Sequence, residues 1–186
     1  MSTFANAGSL SSLQVALEHW VDLVQEFTRI RKGDAIWKHE ERAQVSLVAA
    51  ALARAGFLTV CEMGVETPGS RYGGSCDIWF ADDQNQYYCE AKPAHAFRAI
   101  SVARGAAAVA IGGRDVEPTA IKLALVIVDA WVGPDEDLDA SVGRWEREFT
   151  SENASAKAWV LLPDAAVLWG KDRYIGSALL FDRASV

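Results

Sequence analysis

The sequence predicts an α/β fold, a mixed β-sheet flanked by helices. Three observations carry that expectation. Apolar residues recur at helical spacing through the first 55 positions. After Gly56 the pattern changes to short runs rich in β-branched and aromatic residues, bounded by polar turns. From Ile121, "IKLALVIVDAWV" is a near-continuous apolar run, as expected of a strand covered on both faces.

Taken in order, Leu13, Leu17, Trp20, Val24 and Phe27 mark a first helix. Gly33-Asp34 breaks it, and Asp34 is placed to cap a second helix. That helix aligns Trp37, Glu41, Val45, Val48 and Leu52 on one face and stops at Gly56. "FLTVCEMGVE", "CDIWFA" and "YYCEAK" are three strands; "DDQNQ" turns the chain between the last two. Pro93 is expected to end the third, because proline cannot donate to a ladder. "HAFRAISVARGAAAVAIGG" is an alanine-rich helix closed by two glycines. After the strand at 121–132 come a short helix in "DEDLDASVGRWEREF", expected on the surface, and late strands "KAWVLLP", "AVLWG" and "YIGSALLFD". The expected order is α-α-β-β-β-α-β-α-β-β-β. It divides into a helical extension at 1–33, a core at 35–132, and a C-terminal helix with strands at 133–186, all one domain.

Composition narrows the function classes. With 51 % hydrophobic and 10 % aromatic residues the chain is not disordered. Its longest apolar runs are too short to span a bilayer, and Asp129 interrupts one of them, so no membrane role is expected. The N-terminus lacks the basic start and apolar centre of a secretion signal. Cys61, Cys76 and Cys89 are an odd, unclustered set, which argues for a reduced, cytoplasmic setting over a disulfide framework. The net charge of −7 excludes coating nucleic acid by bulk electrostatics, but it leaves room for a local basic groove.

The hairpin "GSCDIWFADDQNQYYCEAK" carries charge where a buried strand does not want it. Alternation puts Asp77 and Trp79 on one face and Cys76 and Ile78 on the other. On the partner strand Tyr88, Glu90 and Lys92 share a face. If the strands pair, Asp77 and Glu90 meet, and two carboxylates at short range repel by roughly 4 kcal/mol at an effective dielectric near 20. Lys92 supplies one compensating charge. A divalent cation supplies the rest, since Mg²⁺ binds through one or two carboxylates plus phosphate and water. Held there, such an ion polarises a phosphodiester and activates a water, which Lys92 is placed to orient.

The pattern D-x12-E-x-K across a hairpin, at Asp77, Glu90, Ala91 and Lys92, resembles the PD-(D/E)xK nuclease superfamily. The likeness covers about residues 35–113 and extends loosely to the strand at 121–132. It implies the restriction-endonuclease-like fold, a Mg²⁺ cofactor that Mn²⁺ replaces, and cleavage of DNA or, less often, RNA. By resemblance Asp77, Glu90 and the Ala91 carbonyl are metal ligands. Glu41, on the preceding helix, supports a metal-bound water or a second metal, while its neighbour Glu40 points away. Cys76 stands where many members have proline. Glu90-Ala91-Lys92 is the chain's single acid-x-Lys triplet, though roughly one is expected by chance; the flanking elements give it weight.

The resemblance also draws Arg71, His95 and Arg98 toward the substrate backbone. Arg71 lies in the glycine-rich "TPGSRYGGS", whose glycines allow close approach or simply a turn. His95 and Arg98 are read as one turn of the helix after Lys92. Cys76 and Cys89 are expected opposite the carboxylates as buried, inert thiols, and most of the seven tryptophans belong to the core. No nucleophilic triad is selected. Against the nuclease stands a second class: a catalytically silent binding or regulatory module acting with a protein partner. In either class a two-fold homodimer or a partner would supply recognition that an acidic chain lacks.

Overall fold

The computed structural model describes residues 1–31, 34–66, 74–169 and 171–184. Among these, strand β1 (Ser2–Asn6) precedes helix α1 (Gln14–Ile30) and helix α2 (Glu41–Arg54). Strands β2 (Leu58–Val65), β3 (Gly74–Ala81) and β4 (Gln86–Ala94) follow, then helix α3 (Phe97–Gly112) and β5 (Ile121–Val132). Helix α4 (Leu138–Ser151), β6 (Ala156–Leu161), β7 (Val167–Trp169) and β8 (Asp172–Arg183) complete the chain. The sheet runs β1-β6-β8-β5-β4-β3-β2, with β7 paired to β8. Among the described strands only the β4–β5 pair is parallel, joined by α3, so the sheet is mixed. The element order matches the sequence reading except for β1, which pairs with β6 at one edge. Five residues with little burial leave almost no periodicity to read.

Helices α1 and α2 cover one face of the sheet. Leu17, Trp20 and Val24 pack with Val48 and Leu52 over Ile78, Phe80, Leu125 and Phe181. Helices α3 and α4 cover the other face. Ile100 and Ala103 join Trp145 and Phe149 over Val126, Val128 and Leu180. The short helix expected on the surface is therefore half-buried, because Trp145 and Phe149, one turn apart, turn inward together. Asp137 caps it, its Oδ1 accepting from the Ala140 N–H at 2.8 Å.

Two local expectations change at α2 and β4. Asp34 does not cap α2; a 3-10 turn at Ile36–Lys38 intervenes, and Glu40 occupies the cap position. The Asp34 carboxylate instead holds the His39 ring at 3.1 and 3.2 Å. Those bonds help hold its carboxyl below the ordinary range, against the opposing effect of desolvation. The helix ends as read, with Gly56 in the left-handed region at φ 96°. β4, however, runs through Pro93 to Ala94. The Ala91 N–H points toward β3, so two residues on the proline nitrogen faces the same side, where no ladder partner remains.

β5 is buried from Leu123 through Ala130. Its pairing with β8 shifts between Ala130 and Trp131, opposite Gly176. A Cβ on Gly176 would collide with the Val160 carbonyl oxygen, so only glycine lets β6 approach β8 there.

Candidate functional site at the fork of β3 and β4

The β3–β4 ladder runs from Ala81/Gln86 to Ile78/Cys89 and stops. Beyond it the strands diverge: β3 stays with β2, and β4 continues along β5. Asp77 sits at the fork. Its Oδ2 accepts the Ala91 N–H at 2.7 Å, closing the gap where a ladder bond is lost. Glu90, one residue past the last pair, is 7 % exposed. Lys92 Nζ donates to Glu90 Oε1 at 3.1 Å and to the Ala91 carbonyl at 2.6 Å, and lies 4.0 Å from Glu41 Oε1. Glu41 is the first residue of α2, where the helix dipole favours an acid. Four of the sequence-selected residues, Asp77, Glu90, Lys92 and Glu41, therefore converge, and Ala91 contributes backbone on both sides.

The electrostatics follow from that crowding. Burial raises the Glu90 carboxyl pKa, the Asp77 charge raises it further, and Lys92 opposes both. Glu41 is raised too, by burial first, with Lys92 again opposing. For Lys92 desolvation works against its charge, but the bond to Glu90 and the acids around it prevail, and its pKa is raised. Glu90 Oε2 is buried with no hydrogen-bond partner. A buried carboxylate oxygen without a partner is a position for a cation or a water. The donor set is all oxygen, as a hard divalent cation requires. Among the described residues, no three of His, Cys, Asp and Glu stand together as a ready-made metal site.

The other selected residues fall differently. Arg71 lies outside the described residues. His95 is not on the following helix; it sits in the link between β4 and α3, its ring turned to Asp129 of β5 at 3.2 Å. Arg98 is exposed in the first turn of α3. Cys89 is buried opposite Glu90, as expected, but Cys76 departs from strict alternation. It packs with Tyr88 and Ile111, the cluster Trp79 also joins, where burial lifts its thiol to about 11. The alternation fails where β3 leaves β4. Across from Asp77 on β2, Glu62 holds φ 56°, a left-handed conformation that costs a non-glycine residue roughly 1–2 kcal/mol. Its carboxylate is 3.7 Å from Arg42 of α2. Cys61 is exposed and, like the other two, unpaired.

Sequence reasoning missed a neighbouring group. Gln44, one turn after Glu41, donates to Asp129 Oδ1 at 3.3 Å inside the protein. A cavity of about 400 Å³ runs from Glu41 past Gln44, Trp37 and Pro93 to His95 and Asp129. The available signal was Asp129 itself, an acid in the middle of the most apolar strand.

No family model, curated protein or solved structure matches this chain. No helix among the described residues is long and apolar enough to cross a membrane.

Proposed function

We propose that this protein is a Mg²⁺-dependent nuclease that hydrolyses DNA phosphodiester bonds at the β3–β4 fork, within a restriction-endonuclease-like domain. The observation that carries the reading is the buried, unpartnered Glu90 Oε2 beside Asp77 and Lys92. Asp77 and Glu90 would hold the ion, with the Ala91 carbonyl and Glu41 as the further oxygens available to it. A bound Mg²⁺ supplies Lewis acidity at the phosphodiester and relieves the repulsion between the carboxylates. Lys92 keeps its proton, orients the attacking water and faces the charge that develops on the phosphate. Arg71 and Arg98 are the candidate contacts to the nucleic-acid backbone. With a net charge of −7, affinity for DNA depends on such local contacts, on a second copy or on a partner, and weakens with salt. Three unpaired cysteines support a reduced, cytoplasmic setting.

The test is cleavage of plasmid, linear DNA and RNA by the purified protein with Mg²⁺ or Mn²⁺. Metal-dependent cutting, lost in Asp77→Ala and Lys92→Ala, is the expected result. No cutting of any substrate, or variants that cut like the wild type, would refute it. One observation favours a second reading, a silent module acting with a protein partner: Lys92 already occupies Glu90 Oε1 and the Ala91 carbonyl. Calorimetry separates the two, because the silent module binds no divalent metal.

A further inference from the structure

Asp129 is 2 % exposed, on a strand otherwise apolar through its centre. Gln44 meets its Oδ1, and Gln44 Oε1 accepts in turn from Ser177 Oγ at 3.4 Å. Its Oδ2 faces His95 Nδ1 at 3.2 Å. The His95 ring is otherwise 70 % exposed. The backbone carbonyl of His95 accepts from Trp131 Nε1 at 2.6 Å, so both ends of the residue are held. A carboxylate against Nδ1 fixes the ring's orientation and places the Nδ1 proton between them, leaving Nε2 to act. Among the described residues Nε2 has no partner. An asparagine at 129 would meet Gln44 equally well without burying a charge, so the internal packing does not account for the acid.

The pair lines the same cavity as Glu41, which also stands beside Lys92, and Pro93 joins the two sites along the chain. Asp77, Glu90 and Lys92 do not themselves line that cavity; Glu41 and Pro93 connect it to the fork, which gives one ester arm of a phosphodiester held there a path toward His95. We propose that His95 is the general acid of this reaction, delivering a proton to the leaving oxygen, and that Asp129 is the residue that positions it. The inference rests on the nuclease reading above. In the step, a bond forms between the water oxygen and phosphorus as the bond from phosphorus to the leaving sugar oxygen breaks. The Nε2 proton of the imidazolium moves to that oxygen, and the water releases its own proton to solvent. The exposed ring regains a proton from solvent for the next turnover.

The experiment compares two substrates with Mg²⁺ present: a DNA oligonucleotide and the p-nitrophenyl ester of thymidine 5′-phosphate, whose leaving group needs no proton. General acids contribute about 10²–10⁴-fold. His95→Ala should therefore lose about 100-fold or more on the oligonucleotide, and that defect should shrink at least tenfold on the aryl ester. Asp129→Asn should show the same dependence on leaving group with a smaller loss, which a purely structural defect would not produce. Asp77→Asn should lose both activities. A wild type active on DNA with His95→Ala within threefold of it, or equally impaired on both substrates, overturns this role alone. A wild type inactive on both substrates overturns the nuclease reading and this role with it.

Discussion

Replacing Asp129 by Asn should make the protein more stable above neutrality, by an amount the structure sets. Burial pushes the Asp129 carboxyl from an ordinary 3.8 up to about 6, although His95 and Gln44 both favour its ionised form. Below pH 3.8 folded and unfolded chains both hold the proton, and the protein keeps the full benefit of a neutral side chain there. As pH rises the unfolded chain ionises first, and stability declines until the folded value near 6 is passed. At about 1.4 kcal/mol per pH unit, the interval from 3.8 to about 6 is worth about 3 kcal/mol. Asparagine keeps the bond from Gln44 and carries no charge, and the exposed His95 ring can present its other tautomer to it. For a chain of this size the gain corresponds to a melting temperature about 6–12 °C higher at pH 8. Thermal unfolding of both proteins from pH 3.5 to pH 8 measures it. The raised carboxyls of Glu41 and Glu90 are common to both proteins and cancel in the difference. Equal melting temperatures at pH 8, or a difference that does not grow between pH 4 and pH 6, would refute the reasoning. A gain in stability joined to a loss of activity would mark Asp129 as kept for function.

Three further outcomes follow from particular contacts. Gly176→Ala should cost about 2–3 kcal/mol in denaturant unfolding, since the new methyl meets the Val160 carbonyl oxygen and the Leu161 side chain in the packed centre of the sheet. Lys92→Met should cost about 1–2 kcal/mol at pH 8, between the values for exposed and buried ion pairs. That loss should vanish as pH falls far enough to protonate Glu90 and Glu41, whose raised pKa values bring this about above the usual carboxylate range. Phe149→Ala, at a fully buried ring packed against Trp145 and Phe97, should cost about 3–5 kcal/mol by urea unfolding.

The sheet-and-helix order was legible because its signals are local. Helical spacing marked α1 and α2, Gly56 marked a stop, and the run at 121–132 coincides with β5. The convergence of Asp77, Glu90 and Lys92 was legible because hairpin pairing converts a sequence interval into a distance. What escaped was set by tertiary contacts. β1 is set by its pairing with β6, far along the chain. Pro93 stays in a strand because β3 has already left on its donor side. Cys76 changes face at the same fork. The link from Gln44 to Asp129 joins residues 85 positions apart, and nothing in a local pattern records it.

The most direct test of the central claim is a crystal soaked in Mn²⁺ and measured at the manganese absorption edge. One anomalous peak is expected at the fork, within about 2.5 Å of a carboxylate oxygen of Asp77 and of Glu90, with Lys92 Nζ moved off Glu90. A well-ordered fork with Lys92 still bound to Glu90, and no peak between the two acids at saturating Mn²⁺, would contradict it.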